Sequence, residues 1–120
     1  MKFSKKSKAQ LATCHEDLQR LFNEVIKHHD CTIIEGHRNQ EDQDKYFKLG
    51  TTKLKWPHGN HNKTPSMAVD VMPYPIDWKD MDRVKEFGTF VLVTANILGI
   101  KINWGGNWKT FKDYPHYELK

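Results

Sequence analysis

His61-Asn62-Lys63-Thr64-Pro65-Ser66-Met67-Ala68-Val69-Asp70-Val71-Met72 carries both a central strand and two candidate ligands. Its second half, Met67 to Met72, has strand composition. A period of two puts Ala68 and Asp70 on one face, with Val69 and Val71 on the other. A carboxylate in so apolar a strand is costly to bury unless something pairs with it. A metal ion is one such partner and a neighbouring Arg is the other. His61 lies in the preceding loop, nine residues before Asp70, too far for a helical two-ligand motif such as H-E-x-x-H. A loop that folds back brings both to one ion.

Outward from this stretch, Thr51 to Ser66 holds Pro57, Gly59 and Pro65 without a sustained period and reads as loop. Asn39 to Leu49 reads as a helix with Tyr46, Phe47 and Leu49 on one side, stopped by Gly50. Cys31 to Gly36 is a short strand, and Ser7 to His28 is one amphipathic helix. Its core face is Leu11, Cys14, Leu18, Leu21, Phe22, Val25 and Ile26. Pro73 and Pro75 end the Met67–Met72 strand. Asp80 to Leu98 is a further helix, with Val84, Phe87, Val91, Ala95 and Leu98 inward and Gly99 at its end. Ile100 to Trp104 and His116 to Leu119 are closing strands joined by a Gly-Gly and aromatic loop. This order predicts an α+β fold, a small antiparallel sheet packed with about three helices. Residues 1–120 are expected to form a single domain.

Composition narrows the function classes. The chain is 38% hydrophobic and 28% charged, ordinary for a globular protein. No apolar run approaches the roughly 18–20 residues of a membrane span. The longest, around Phe90 to Ile100, is broken by Thr94, Asn96 and Gly99. Met1-Lys2-Phe3-Ser4-Lys5-Lys6 is basic but precedes no apolar stretch, so no secretory signal is expected. Cys14 and Cys31 cannot make a four-thiolate site and read as buried free thiols. The net charge of +4 favours anionic partners. The lysines are scattered, and no recognition helix or single-strand stacking motif accompanies them, so nucleic acid is not the expected partner.

The second chemical cluster is Asp113-Tyr114-Pro115-His116. Pro115 enforces an extended approach and presents His116 at the start of the last strand. His61, Asp70 and His116 together suit catalytic zinc, which takes three protein ligands and leaves one position for water. A set of two His and one carboxylate also serves iron. Asp113, three positions before His116, is placed to act as a base toward that water, or is simply a turn residue. His58 competes with His61 as a ligand; the spacing to Asp70 favours His61. His28 and His29 suit a helix C-terminus, and His15 needs no special role. Arg38 and Gln43 form either a solvated face or a grip on a substrate carboxylate or peptide group. Trp56, Trp104 and Trp108 line a groove or fill the core.

Three segments carry a resemblance: Gly36-His37-Arg38 through Gln43; His61-Asn62 through Pro65-Ser66-Met67-Ala68-Val69-Asp70; and Trp104-Gly105-Gly106-Asn107-Trp108 through Asp113-Tyr114-Pro115-His116-Tyr117-Glu118. Together they resemble the D-alanyl-D-alanine carboxypeptidase / L-alanyl-D-glutamate endopeptidase (VanY-like) family of zinc peptidases, and within it the phage endolysins that cut the L-Ala–D-Glu bond of peptidoglycan. The resemblance implies one zinc per chain, held by His61, Asp70 and His116, with Asp113 as catalytic acid/base. It implies a catalytic contribution from Arg38, and substrate binding by Arg38, Gln43 and Trp104. The expected partner is peptidoglycan, with no nucleic acid, no stable membrane association and a monomeric chain. The resemblance further implies synthesis in the host cytoplasm and release to the wall by a separate membrane-permeabilising protein. No separate wall-binding domain is expected. Gly59 stands where the family often has Ser, and Asp113 where many members have Glu. Two alternatives remain, a D-Ala-D-Ala carboxypeptidase and a non-catalytic zinc-stabilised wall-binding module.

Overall fold

In the computed structural model, which describes residues 1–120, four strands form one antiparallel sheet. They are β1 Cys31–Glu35, β2 Ala68–Pro73, β3 Ile102–Trp104 and β4 His116–Leu119, in the order β1-β2-β4-β3. The helices are α1 Lys5–Leu11, α2 Glu16–Val25, α3 Gln40–Leu49 and α4 Met81–Leu98. The α+β class and the antiparallel sheet are as the sequence predicts. β2 lies inside the sheet, so Ala68, Val69, Val71 and Met72 are all buried, and the strand reads as nearly continuous apolar sequence.

α2 and α4 cover one face of the sheet. Leu18, Leu21, Phe22 and Val25 from α2 meet Phe87, Val91 and Ala95 from α4 over Val69, Val71 and Tyr117. Tyr117 is the hub of this core. Phe22 meets it edge-on with ring centres 5.5 Å apart, and Trp104 stacks on it at 6.3 Å with an interplanar angle of 8°. α3 and α4 end at Gly50 (φ +76°) and Gly99 (φ +72°), left-handed positions where a side chain would be strained. Both cysteines are buried and free. Burial pushes the Cys14 thiol up to about 11 and that of Cys31 to about 12, which leaves neither as a nucleophile.

The single helix expected over Ser7–His28 is two helices, so the sheet carries four rather than about three. The chain breaks where Ser66 reaches in: its N–H donates to Thr13 O and its carbonyl accepts from His15 N, both at 2.9 Å. His15 Nδ1 then caps α2 by accepting from Asp17 N at 3.0 Å. Leu11, Cys14 and Leu18 stay buried across the break, which is why the apolar period runs on. His28 and His29 lie in the turn beyond α2, where His28 Nε2 is 3.3 Å from Glu24 Oε2 and His29 packs on Phe90.

α1 also completes the edge of the sheet. β1 is an edge strand, and three N–H groups of the segment it begins are met by side chains rather than by another strand. Ser7 Oγ accepts from Ile33 N at 3.0 Å, Gln10 Oε1 from Gly36 N at 3.0 Å, and Thr13 Oγ1 from His37 N at 2.8 Å. A Cβ at Gly36 would stand 2.3 Å from Gln10 O, so this close approach requires glycine.

Candidate metal centre and cleft

Strand register brings the cluster together. Asp70 and His116 are directly opposed on β2 and β4, and Glu35 on β1 is opposite Asp70 on its other side. His61 comes from a short 3-10 turn, Asn60–Asn62. That turn is pinned when Arg38 N donates to His61 O at 2.8 Å and Met67 N to Asn60 O at 3.0 Å.

His61 Nε2, Asp70 Oδ1 and His116 Nδ1 form a triangle with every side 3.3 Å. Donors arranged tetrahedrally at the zinc–nitrogen and zinc–oxygen distance of about 2.0–2.1 Å stand about 3.3–3.4 Å apart. Asp70 Oδ1 is buried, and although both imidazole nitrogens are near, no hydrogen bond reaches it. The three ligand-type atoms therefore converge on a common point. Each imidazole is oriented through its other nitrogen, His61 Nδ1 at 2.7 Å from Gly36 O and His116 Nε2 at 2.6 Å from Glu118 Oε1. Such partners fix the ring and its tautomer. The residues present fit a tetrahedral divalent ion.

Electrostatics agree. Burial alone would raise the Asp70 carboxyl, but His116 and His61 outweigh it and hold it well below the usual carboxylate range. Burial would lower His116; Asp70 and Glu118 override it and push the imidazole up to about 9. Without a cation, a proton on the imidazole supplies the positive charge the carboxylates demand. Asp113 shifts upward, through burial first and the Asp70 charge second. Its Oδ2 is 4.0 Å from His116 Nδ1, and its side chain is 46% exposed, so it faces both the cluster and solvent.

A cleft of about 580 Å³ opens over the cluster, and its lining, mostly polar, includes Arg38, His61, Trp108, Asp113 and His116. Arg38 donates through Nε and one terminal nitrogen to Glu35 Oε1 and through the other to Gln43 Oε1 at 3.1 Å, and it lies over the Tyr46 ring. Two of its five N–H groups remain free. Gln43 is 1% exposed. Its amide N donates to Leu54 O at 2.7 Å, and its amide O accepts from Arg38 and from Asn62 Nδ2. Gln43 thus holds other groups in place at the cleft wall. Trp104 belongs to the core. It is buried on Tyr117, with Nε1–H donating to Tyr114 O at 2.7 Å, and it is not part of the cleft wall. Trp108 lines the cleft in its stead, its ring 5.1 Å from that of His116. His58 lines the cleft but lies outside the ligand triangle.

Sequence reasoning missed Glu35, Asn62 and Glu118. Glu118 had a signal: two residues past His116 on a strand, it shares that residue's face. Asn62 explains the departure at Gly59. Its Oδ1 accepts from Gly59 N at 3.0 Å, and a Cβ on residue 59 would come within 2.8 Å of that oxygen. The amide occupies the space a larger residue would need.

Two imidazoles and a carboxylate at a cleft floor, with a second carboxylate alongside, define a candidate hydrolytic metal centre. The sequence model of a family described as phage L-alanyl-D-glutamate peptidase matches residues 1–119, and the chain belongs to that family. It is 32% identical to the L-alanyl-D-glutamate peptidase of Escherichia phage T5 over 124 residues, covering 99% of this chain and 89% of that protein. It is 34% identical to the peptidoglycan L-alanyl-D-glutamate endopeptidase CwlK of Bacillus subtilis (strain 168) over 104 residues, 75% of this chain and 60% of CwlK. The crystal structure of Serratia marcescens L-Ala D-Glu endopeptidase ChiX superposes with a TM-score of 0.86 at 28% identity, covering 100% of this chain and 90% of that one. Membership makes the chain a peptidase.

Proposed function

We propose that the chain is a zinc peptidase that hydrolyses the L-Ala–D-Glu bond of peptidoglycan stem peptides, and that it serves a phage as an endolysin. The observation that carries this is the 3.3 Å triangle of His61 Nε2, Asp70 Oδ1 and His116 Nδ1 around an oxygen with no hydrogen bond. Those three atoms would hold one zinc ion. Zinc bound there supplies a water acidified toward neutral pH and an electrophile for the scissile carbonyl.

Asp113 takes the proton of the attacking water and returns it to the leaving amine nitrogen. Its half-exposed carboxylate stands beside the cluster, with Oδ2 4.0 Å from His116 Nδ1, the placement a general base and acid needs. Arg38 offers its two free N–H groups to the developing oxyanion or to a substrate carbonyl, while Glu35 and Gln43 hold the guanidinium in position at the cleft wall. Trp108 provides an apolar side to the groove. One chain contributes every ligand, which supports action as a monomer. No helix is long and apolar enough to cross a membrane. Accumulation in the host cytoplasm, with access to the wall through a separate membrane-permeabilising protein, belongs to the same proposal.

The test is mass spectrometry of peptidoglycan digested by zinc-loaded wild type and Asp113→Ala, with elemental analysis of the bound metal. New amino-terminal D-Glu released by wild type alone, at one zinc per chain, is expected. Loss of terminal D-Ala instead would reassign the enzyme as a carboxypeptidase. No cleavage by either zinc-loaded protein would leave a wall-binding module.

A further inference from the structure

Six basic side chains line the cleft: the imidazoles of His58, His61 and His116, and the long cationic side chains of Arg38, Lys53 and Lys112. His61 belongs to the ligand triangle and His116 to its opposite corner. Arg38 is paired with Glu35. Lys112 donates to Gly106 O at 3.2 Å and Trp108 O at 2.8 Å, closing its own loop. Lys53 is different. No carboxylate pairs with it; its ammonium rests 3.5 Å from the centre of the Phe111 ring.

Phe111 is itself out of the ordinary. It is the one non-glycine residue with positive φ, at +52°, and its large apolar side chain is 70% exposed. Backbone in that region is unfavourable for an aromatic residue, and such strain clusters at ligand clamps. The contact joins two loops that border the cleft, the one after α3 and the one that leads to Asp113 two residues on. A ring face holds an exposed ammonium only weakly, whereas a carboxylate gives it a charge-assisted hydrogen bond. The ring therefore keeps the cation at the cleft rim, desolvated on one side and available to an anion.

Resting on the peptidase reading above, we infer that Lys53, held on Phe111, is a specificity-determining residue that binds the free carboxylate of the glutamyl residue at the scissile bond. A glutamyl residue joined into a peptide through one carboxyl keeps the other, and that group is anionic near neutral pH. Its carboxamide is of equal shape but uncharged, so the enzyme discriminates between the two forms.

The experiment compares kcat/KM on two synthetic stem peptides, one with the free D-Glu carboxylate and one with that group as a carboxamide. Wild type, Lys53→Gln and Lys53→Arg are each zinc-loaded. Wild type is expected to favour the carboxylate by about fivefold, the scale of one exposed ion pair. Lys53→Gln is expected to bring the ratio to near one, and Lys53→Arg to restore it. Equal rates on both peptides with wild type, or a preference that survives Lys53→Gln, would overturn the assignment of Lys53 and leave the peptidase intact. Cleavage of neither peptide by wild type would overturn the peptidase reading itself.

Discussion

Replacing Gly105 by Ala tests whether the placement of Asp113 sets the rate. A Cβ on residue 105 would stand 2.1 Å from the Asp113 carbonyl oxygen and 3.1 Å from its Cβ. A relaxed carbon–oxygen contact needs about 3.3 Å, so the segment must retreat by about 1 Å. The retreat also strains the bond in which Asp113 N donates to Gly105 O at 3.1 Å. A 1 Å misplacement of a reacting group costs about a hundredfold in rate, or about 2.7 kcal/mol of transition-state stabilisation. The three proposed ligands sit on β2, β4 and the Asn60–Asn62 turn, and only His116 touches the displaced segment, its N–H donating to Asp113 O at 3.2 Å, so zinc affinity should fall much less than the rate. The assay pairs kcat/KM on a stem peptide with a zinc-binding isotherm and a thermal melt. A folded, zinc-loaded Gly105→Ala protein with wild-type kcat/KM would refute the reasoning. Loss of zinc in step with activity would also refute it, by making this loop part of the metal site.

Asp70→Asn should abolish stoichiometric zinc binding in calorimetry, because it removes the negative charge and leaves only a weaker amide donor where both imidazoles converge; tight one-to-one binding would contradict the ligand assignment. For metal-free protein, His116 rises from 6.5 to about 9 on folding, so its stabilisation is complete below pH 6.5 and is lost as pH climbs through about 9. Thermal melts of chelated protein should therefore fall across that window, and a flat profile would count against the coupling to Asp70 and Glu118. Trp104→Ala should lose about 3–5 kcal/mol in urea unfolding, whereas Trp108→Ala should leave stability nearly unchanged and raise KM. Equal destabilisation by the two would contradict their placement. Gln43→Ala strands Leu54 O and removes the acceptor of Arg38 and Asn62. A loss of about 2–3 kcal/mol is expected, with faster amide exchange in the Thr51–Trp56 loop, and unaltered exchange would argue against the clamp.

Much of this was legible in the residues themselves. Gly50 and Gly99 mark helix ends because only a left-handed residue fits there. Asp70 stands out because a carboxylate within Ala68-Val69-Asp70-Val71 demands a partner. What stayed hidden depends on which surface another segment covers. The break at Thr13–Cys14 leaves no trace in the apolar period, since it is made by Ser66 from over fifty residues away. Gln43 has the polarity of an exposed helical residue and becomes buried when the 51–59 loop folds over it. Trp104 and Trp108 flank the same Gly-Gly pair, and only the tertiary fold decides which one lies on Tyr117 and which one faces the cleft.

The side chains of Ser7, Gln10 and Thr13 that meet the N–H groups along β1 and just beyond it have an effect beyond the fold. An unoccupied strand edge is a template for pairing with another molecule, and here that template is filled from within the same chain. The residue just past β1 is Gly36, whose carbonyl orients the His61 ring. Colloidal behaviour and the placement of the proposed ligand His61 are thereby tied to the first thirteen residues. Any truncation or fusion that unseats α1 would expose a sticky edge and loosen a ligand in one event, so precipitation on storage and loss of bound metal should arise together.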